Sequence, residues 1–281
     1  MNSSIKIIEC PRDAMQGIQE FIPTQNKIEY INQLLKVGFD TIDFGSFVSP
    51  KAIPQLKDTS EVFEGLYLEN NSSKLLSIIA NKRGAEQACL FKQIDYLGFP
   101  LSISEEFQKR NTNKTIVESI GVLEEIQNLC IQKNKSLVVY LSMAFGNPYV
   151  EKYHPEIVAD LTNKLHCLDV KTIALSDTIG VSNPANIAPL FSTLISEYSE
   201  IEFGAHFHTT PEKWKEKVDS AYQNGCRRFD SAIKGFGGCP MAKDDLTGNI
   251  PTEKIISYFS DQLEINKEEF DKSLKLSETI F

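Results

Sequence analysis

Two of the four histidines in this 281-residue chain stand one residue apart, as His206-Phe207-His208. Along a β-strand, positions i and i+2 point to the same face, so both imidazoles could reach one ion. Imidazole suits Zn, Mn, Fe and Co, while carboxylate and amide oxygens also suit Mg or Mn. The plain alternative for such a pair is polar packing. Asp13 is the natural carboxylate to complete the set, although Arg12-Asp13 taken alone reads equally as a surface ion pair or a helix N-cap. Asn249 could add a neutral side-chain oxygen, yet an isolated Gly-Asn is ordinarily a turn. Asp177 is either an acceptor supporting such a site or a helix cap before Pro184. Cys239 follows Gly235, Gly237 and Gly238, a composition that lets a loop bring a thiol to a bound substrate; otherwise it is an inert buried cysteine behind a turn.

The elements that would position these residues alternate regularly. Ile5–Glu9, Thr41–Gly45, Leu75–Ala80, Ile94–Leu101, Leu137–Ser142, Lys171–Leu175, Ile201–His206 and Arg227–Ser231 read as short apolar strands, spaced by roughly 30 residues. Helical patterns lie between them, including Gln25–Val37, Thr112–Lys133, Pro155–Leu168, Pro184–Ser196 and Pro211–Asn224. Proline is favourable in a first helical turn, and Gly38, Gly180 and Gly225 fall where helices or turns must end. Strand–helix alternation implies a parallel sheet, because parallel neighbours need long crossovers. Eight repeats favour an α/β fold closed as a single (β/α)8 TIM barrel over residues 1–281, with an open sheet as the alternative. No GxGxxG or GxxxxGK[ST] follows any strand, which removes the usual signs of a dinucleotide or P-loop fold. In a barrel the active site gathers where strands end. Arg12-Asp13, Asp43, Asp177, His206, His208, Cys239 and Asn249 all fall at or after such ends.

Composition narrows the partners. With 29 Lys+Arg against 38 Asp+Glu, the net charge of -9 argues against nucleic acid. The opening residues lack an apolar stretch of signal-peptide length, and no run approaches the ~20 apolar residues of a membrane span, so a cytoplasmic protein is expected. Cys10, Cys89, Cys130, Cys167 and Cys226 are scattered without a CxxC pair and read as small apolar residues in or beside regular elements. His154 and His166 read as helix residues without a partner.

In order along the chain, Pro11-Arg12-Asp13-Ala14-Met15-Gln16, Ser46-Phe47-Val48-Ser49-Pro50-Lys51, Asp177-Thr178-Ile179-Gly180, His206-Phe207-His208 and Gly238-Cys239-Pro240 resemble the 3-hydroxy-3-methylglutaryl-CoA lyase family. That family belongs to a metal-dependent TIM-barrel superfamily of lyases and Claisen-condensing synthases. The resemblance spans about Ile5 to Phe259. The Arg-Asp and HxH motifs are shared across the superfamily, whereas the SFVSPK and GGCP segments are more particular to the lyases.

The resemblance implies that Asp13, His206, His208 and Asn249 hold Mg²⁺ or Mn²⁺. It also implies an acyl-CoA substrate, Arg12 beside the thioester carbonyl, and Cys239 as a loop residue in acid/base chemistry. A homo-oligomer, such as a dimer, would suit such a chain. His206 is the alternative acid to Cys239; Asp43 occupies a family glutamate position and Asp177 a family aspartate. These residue types fit the cleavage: a metal lowers a hydroxyl's pKa, a fixed guanidinium stabilises a thioester enolate, and a thiol or imidazole reprotonates carbon. Departures are Thr209 after the second histidine, where an acid is usual, the shorter Asp43, Ala14 for a glycine, a charged stretch through Lys243-Asp244-Asp245, and a short C-terminal continuation. The rivals are a synthase of the 2-isopropylmalate or citramalate type and a non-catalytic metal-binding barrel.

Overall fold

The computed structural model describes residues 4–69, 71–238 and 247–281. Eight strands run β1 (Lys6–Glu9), β2 (Thr41–Ser46), β3 (Lys74–Ile78), β4 (Ile94–Ser102), β5 (Ser136–Ser142), β6 (Thr172–Asp177), β7 (Glu202–Thr209) and β8 (Arg228–Ser231). Each pairs in parallel with its neighbours in sequence, and β8 returns to β1 through Lys6↔Arg228 to Glu9↔Ser231, which closes the barrel. A short β9 (Gly248–Asn249) joins the end of β7 antiparallel, setting Asn249 opposite His208. Gly248-Asn249, for which a turn is the plain alternative, is therefore a strand pair, and β7 extends three residues beyond its expected end at His206.

The helices are α1 (Pro11–Gln16), α2 (Thr24–Leu35), α3 (Thr59–Glu64), α4 (Lys82–Ala88), α5 (Glu105–Thr112), α6 (Ile116–Lys133), α7 (Pro155–Cys167), α8 (Pro184–Glu197), α9 (Trp214–Gln223), α10 (Thr252–Tyr258) and α11 (Lys267–Ser277). The helix expected over Thr112–Lys133 is α6, which starts at Ile116, and a further helix, α5, ends at Thr112. Asn113 takes φ 56°, ending α5, and Thr115 then caps α6 in a reciprocal box with Glu118. Proline opens α7 and α8, where its missing N–H leaves no bond unmade. His154 caps α7, and His166 lies beside Glu200 on the outer surface. None of the described helices is long and apolar enough to cross a membrane.

Strands β2, β5 and β6 are buried on both faces, as helix-covered parallel strands must be, and β5 reads as a nearly continuous apolar run. The outer face packs on the helices as the main apolar core. Inside the barrel, Leu76, Ile78, Val138, Tyr140 and Ala174 form a separate apolar cluster. Two inward residues of β8 are charged, Arg228 and Asp230, and both are buried. A bulge between Asp43 and Gly45 shifts the β2 register against β3. Bulges of this kind re-aim side chains near barrel rims.

Candidate active site

Pro11 starts α1 directly after β1, so Arg12 and Asp13 leave the strand side by side and buried. They form neither a surface ion pair nor an N-cap, since Cys10 is the capping residue. Arg12 bridges two carboxylates. Its Nε and Nη2 donate to Asp43 Oδ2 at 2.9 and 2.6 Å, and its Nη1 donates to Asp13 Oδ1 at 3.1 Å. Gln16, one turn on, accepts from Arg12 Nη1 at 2.9 Å and donates to Asp13 Oδ1 at 2.7 Å. Burial alone would loosen the Arg12 proton, but Asp43 and Asp13 reverse that and hold it more firmly than usual. Burial raises Asp43 to about 6 against the pull of Arg12. Burial also acts on Asp13, yet Arg12, His206 and His208 together keep its carboxyl below the ordinary range.

Both histidines of β7 face the interior. His206 Nδ1 lies 3.0 Å from Asp230 Oδ2, and His208 Nδ1 donates to the Thr178 carbonyl at 2.8 Å. Each partner fixes Nδ1 as the protonated nitrogen and leaves Nε2 to accept or ligate. Burial lowers the proton affinity of both rings. For His206 the Asp230 bond outweighs it and the pKa rises, whereas for His208 the charge of His206 adds to burial and the pKa falls. Asp13, His206 and His208 bring ligand atoms within 4.8 Å of one another. His208 Nε2 is buried with no hydrogen-bond partner. One carboxylate, two imidazoles and an orphaned ring nitrogen fit a divalent cation.

Asn249 approaches from β9. Its Nδ2 donates to Asp13 Oδ2 at 2.6 Å and to the Phe236 carbonyl at 2.8 Å. Gly237, at φ 87°, permits this contact, because a Cβ there would meet Asn249 Nδ2 and the Asp13 carbonyl oxygen, each at 2.8 Å. Asp177 does not join the group. Its oxygens accept from Val181 N, from Ser182 N and Oγ, and from Lys217 Nζ at 2.7 Å. Lys217 also donates to the His208 carbonyl at 2.8 Å, so Asp177 bears on the site only through that backbone. The cap before Pro184 is Asn183. Thr209 pairs with Gly248 and donates to the Thr210 carbonyl. Cys239 and the Lys243–Asp245 stretch lie outside the described residues.

The group opens on a cavity of about 490 Å³, lined by Arg12, Asp13, Tyr140, His206 and His208, with Arg110 and Asn111 among the other lining residues. Four participants escaped the sequence reading. Asp230 and Tyr140 sit in inward strand positions that look like ordinary alternation. Gln16 stands within a noted motif, and Thr178 acts through its backbone carbonyl.

A (β/α)8-barrel enzyme whose strand ends gather a donor set fitted to a metal ion is the class that fold and site define. The HMGL-like family model matches residues 5–280. A hydroxymethylglutaryl-CoA lyase of Bacillus subtilis is 33% identical over 263 residues, covering 91% of this chain and 84% of that protein. The human cytoplasmic 3-hydroxy-3-methylglutaryl-CoA lyase is 33% identical, over 93% of this chain and 70% of its own length. Among solved structures, the HMG-CoA lyase of Brucella melitensis superposes with a TM-score of 0.91 at 28% identity, covering 99% of this chain and 98% of that one. An HMG-CoA lyase from Acinetobacter baumannii, in complex with coenzyme A and 3-methylmalate, gives 0.90 at 31% identity, over 100% and 93% of the chains. The chain belongs to the hydroxymethylglutaryl-CoA lyase family and is a carbon–carbon lyase.

Proposed function

We propose that this chain cleaves 3-hydroxy-3-methylglutaryl-CoA to acetyl-CoA and acetoacetate, using Mg²⁺ or Mn²⁺ held by Asp13, His206, His208 and Asn249. The observation that carries the reading is the meeting of Asp13 with both β7 imidazoles, ligand atoms within 4.8 Å, beside the Arg12 guanidinium. In the reaction the tertiary hydroxyl gives up its proton and becomes the ketone of acetoacetate. The electron pair of the broken carbon–carbon bond enters the thioester as an enolate, and a proton returns to carbon. A bound divalent ion would make that hydroxyl a stronger acid.

The chain's own residues serve the remaining needs. Arg12, permanently charged and held by Asp43 and Asp13, offers its guanidinium to the enolate oxygen. Asp43 fixes that guanidinium rather than transferring protons. Asp230 and the Thr178 carbonyl orient the two imidazoles. Asp177 acts as a positioning residue through Lys217 and the backbone of His208. Cys239 is the proton donor to the enolate carbon in this reading, with His206 as the alternative. The coenzyme A bound by the Acinetobacter relative supports an acyl-CoA substrate here.

The test is to incubate the purified protein with 3-hydroxy-3-methylglutaryl-CoA and Mg²⁺, without added keto acid, and to follow thioesters by mass spectrometry. Equal amounts of acetyl-CoA and acetoacetate are expected. Turnover of acetyl-CoA only when a 2-keto acid is supplied would replace this reading with the synthase, and intact substrate with no turnover in either assay would replace it with the non-catalytic barrel.

A further inference from the structure

One buried carboxylate at the root of the site has no part in the chemistry above. Glu9 is the last residue of β1, fully buried, and its carboxyl reaches Thr252 at the start of α10. Its Oε1 accepts the Ile233 N–H at 3.0 Å, and its Oε2 accepts the Thr252 hydroxyl at 2.5 Å. Ile233 lies just beyond β8, and Thr252 begins α10 just after β9. The same carboxylate therefore grips the chain where it leaves the barrel and where it returns. Backbone bonds tie those two points to each other, Ala232 N to the Ile250 carbonyl at 3.0 Å and Thr252 N to the Ala232 carbonyl at 3.1 Å. Glu9 ties them to β1.

That attachment matters because of what lies near each end of it. Four residues after Glu9 is Asp13, and three residues before Thr252 is Asn249. Their side chains meet at 2.6 Å across 236 positions of sequence. We infer that Glu9 is a positioning residue whose two hydrogen bonds register Ile233, beyond β8, and Thr252, beyond β9, against β1, and so hold Asn249 against Asp13. This rests on the reading of Asn249 and Asp13 as ligands of one ion. Burial pushes the Glu9 carboxyl up to about 8. The neutral acid keeps both contacts: its carbonyl oxygen accepts Ile233 N–H, its hydroxyl donates to Thr252 Oγ1, and Thr252 donates on to Ser231 Oγ at 2.9 Å. A glutamine in its place reproduces that pattern.

Three variants, Glu9→Ala, Glu9→Gln and Asn249→Ala, decide the matter in metal-free protein. Amide hydrogen exchange is followed over residues 232–238 and 247–252 and, as reference, over β5. Affinity is then measured with Mn²⁺ alone. Glu9→Ala should speed exchange at Ile233 and Thr252 by about tenfold or more and leave β5 unchanged. It should weaken Mn²⁺ binding by about 10–100-fold, the usual consequence of losing a group that orients a ligand. Glu9→Gln should stay within about twofold of wild type in both measurements, by retaining both hydrogen bonds. Unchanged exchange in Glu9→Ala, faster exchange spread equally to β5, or a glutamine variant as impaired as alanine would each overturn the inference. If Glu9→Ala does not fold, Thr252→Val removes one of the two bonds, and unchanged exchange there overturns it equally. Should Asn249→Ala bind Mn²⁺ as wild type does, the ligand reading fails instead, and exchange alone decides the role of Glu9.

Discussion

Asp230 and His206 form a buried pair, Oδ2 to Nδ1 at 3.0 Å. The contact sets which nitrogen of His206 carries hydrogen and which faces the site. A strand-borne imidazole thereby becomes a pre-oriented ligand before any ion binds. Asp230→Ala should weaken Mn²⁺ binding by roughly 10–100-fold, as losing a ligand's hydrogen-bonded partner typically does. Calorimetric titration of wild type and variant measures it; equal affinities would mean that the pair is merely structural.

Arg12 is predicted to act in the transition state. Its charge is permanent, and two carboxylates fix its orientation. Arg12→Gln should lower kcat by about 10²–10³, comparable to losing one donor to an oxyanion. If steady-state kinetics instead show a raised KM with kcat intact, Arg12 binds ground and transition states alike.

Much of this arrangement is legible in the sequence, and the gaps have physical causes. Strands such as β5, buried on both faces, stand out as apolar runs, while β2 and β8 carry buried polar residues between apolar ones and are placed by their spacing. Strand β7 runs past its expected end because His206, His208 and Thr209 are polar yet buried. The HxH pair and Asp13 are visible from residue type and strand-end placement. The start of α6 is expected four residues early, at Thr112 rather than Ile116, although Thr115 and Glu118 carry a capping box that marks it. Asp177 stays open between two readings in the sequence because Lys217, the partner that ties it to the site, lies 40 residues away. Asp230 leaves no local signal, since a charged residue alternating with apolar ones in a strand ordinarily faces water.

Cys239→Ser is expected to keep the melting temperature and Mn²⁺ affinity of wild type while losing most of kcat, because a hydroxyl is a far weaker acid than a thiol. Thiol reagents should inactivate wild type, and bound product should protect it. A stable serine variant with full kcat would transfer the donor role to His206.

Glu9 also predicts a pH dependence of stability. Burial raises its carboxyl from 4.5 to about 8, so the folded state keeps a proton that the unfolded chain releases. That contribution is complete below the unfolded value and is lost as pH rises through the folded one, at about 1.4 kcal/mol per unit at most. Between about pH 5 and 8.5, the Tm of wild type should therefore fall relative to that of Glu9→Gln, whose amide does not titrate. Parallel Tm profiles across that range would show that Glu9 ionises normally.

The central claim is that cleavage depends on an ion held where Asp13, His206 and His208 converge. Its most direct measurement is turnover of 3-hydroxy-3-methylglutaryl-CoA by protein treated with EDTA and then desalted, before and after adding Mg²⁺ or Mn²⁺, alongside His208→Ala. Wild type should be inactive when stripped and recover on addition of either ion, while His208→Ala should recover little at matched concentrations. Full turnover by exhaustively metal-free protein would contradict the account.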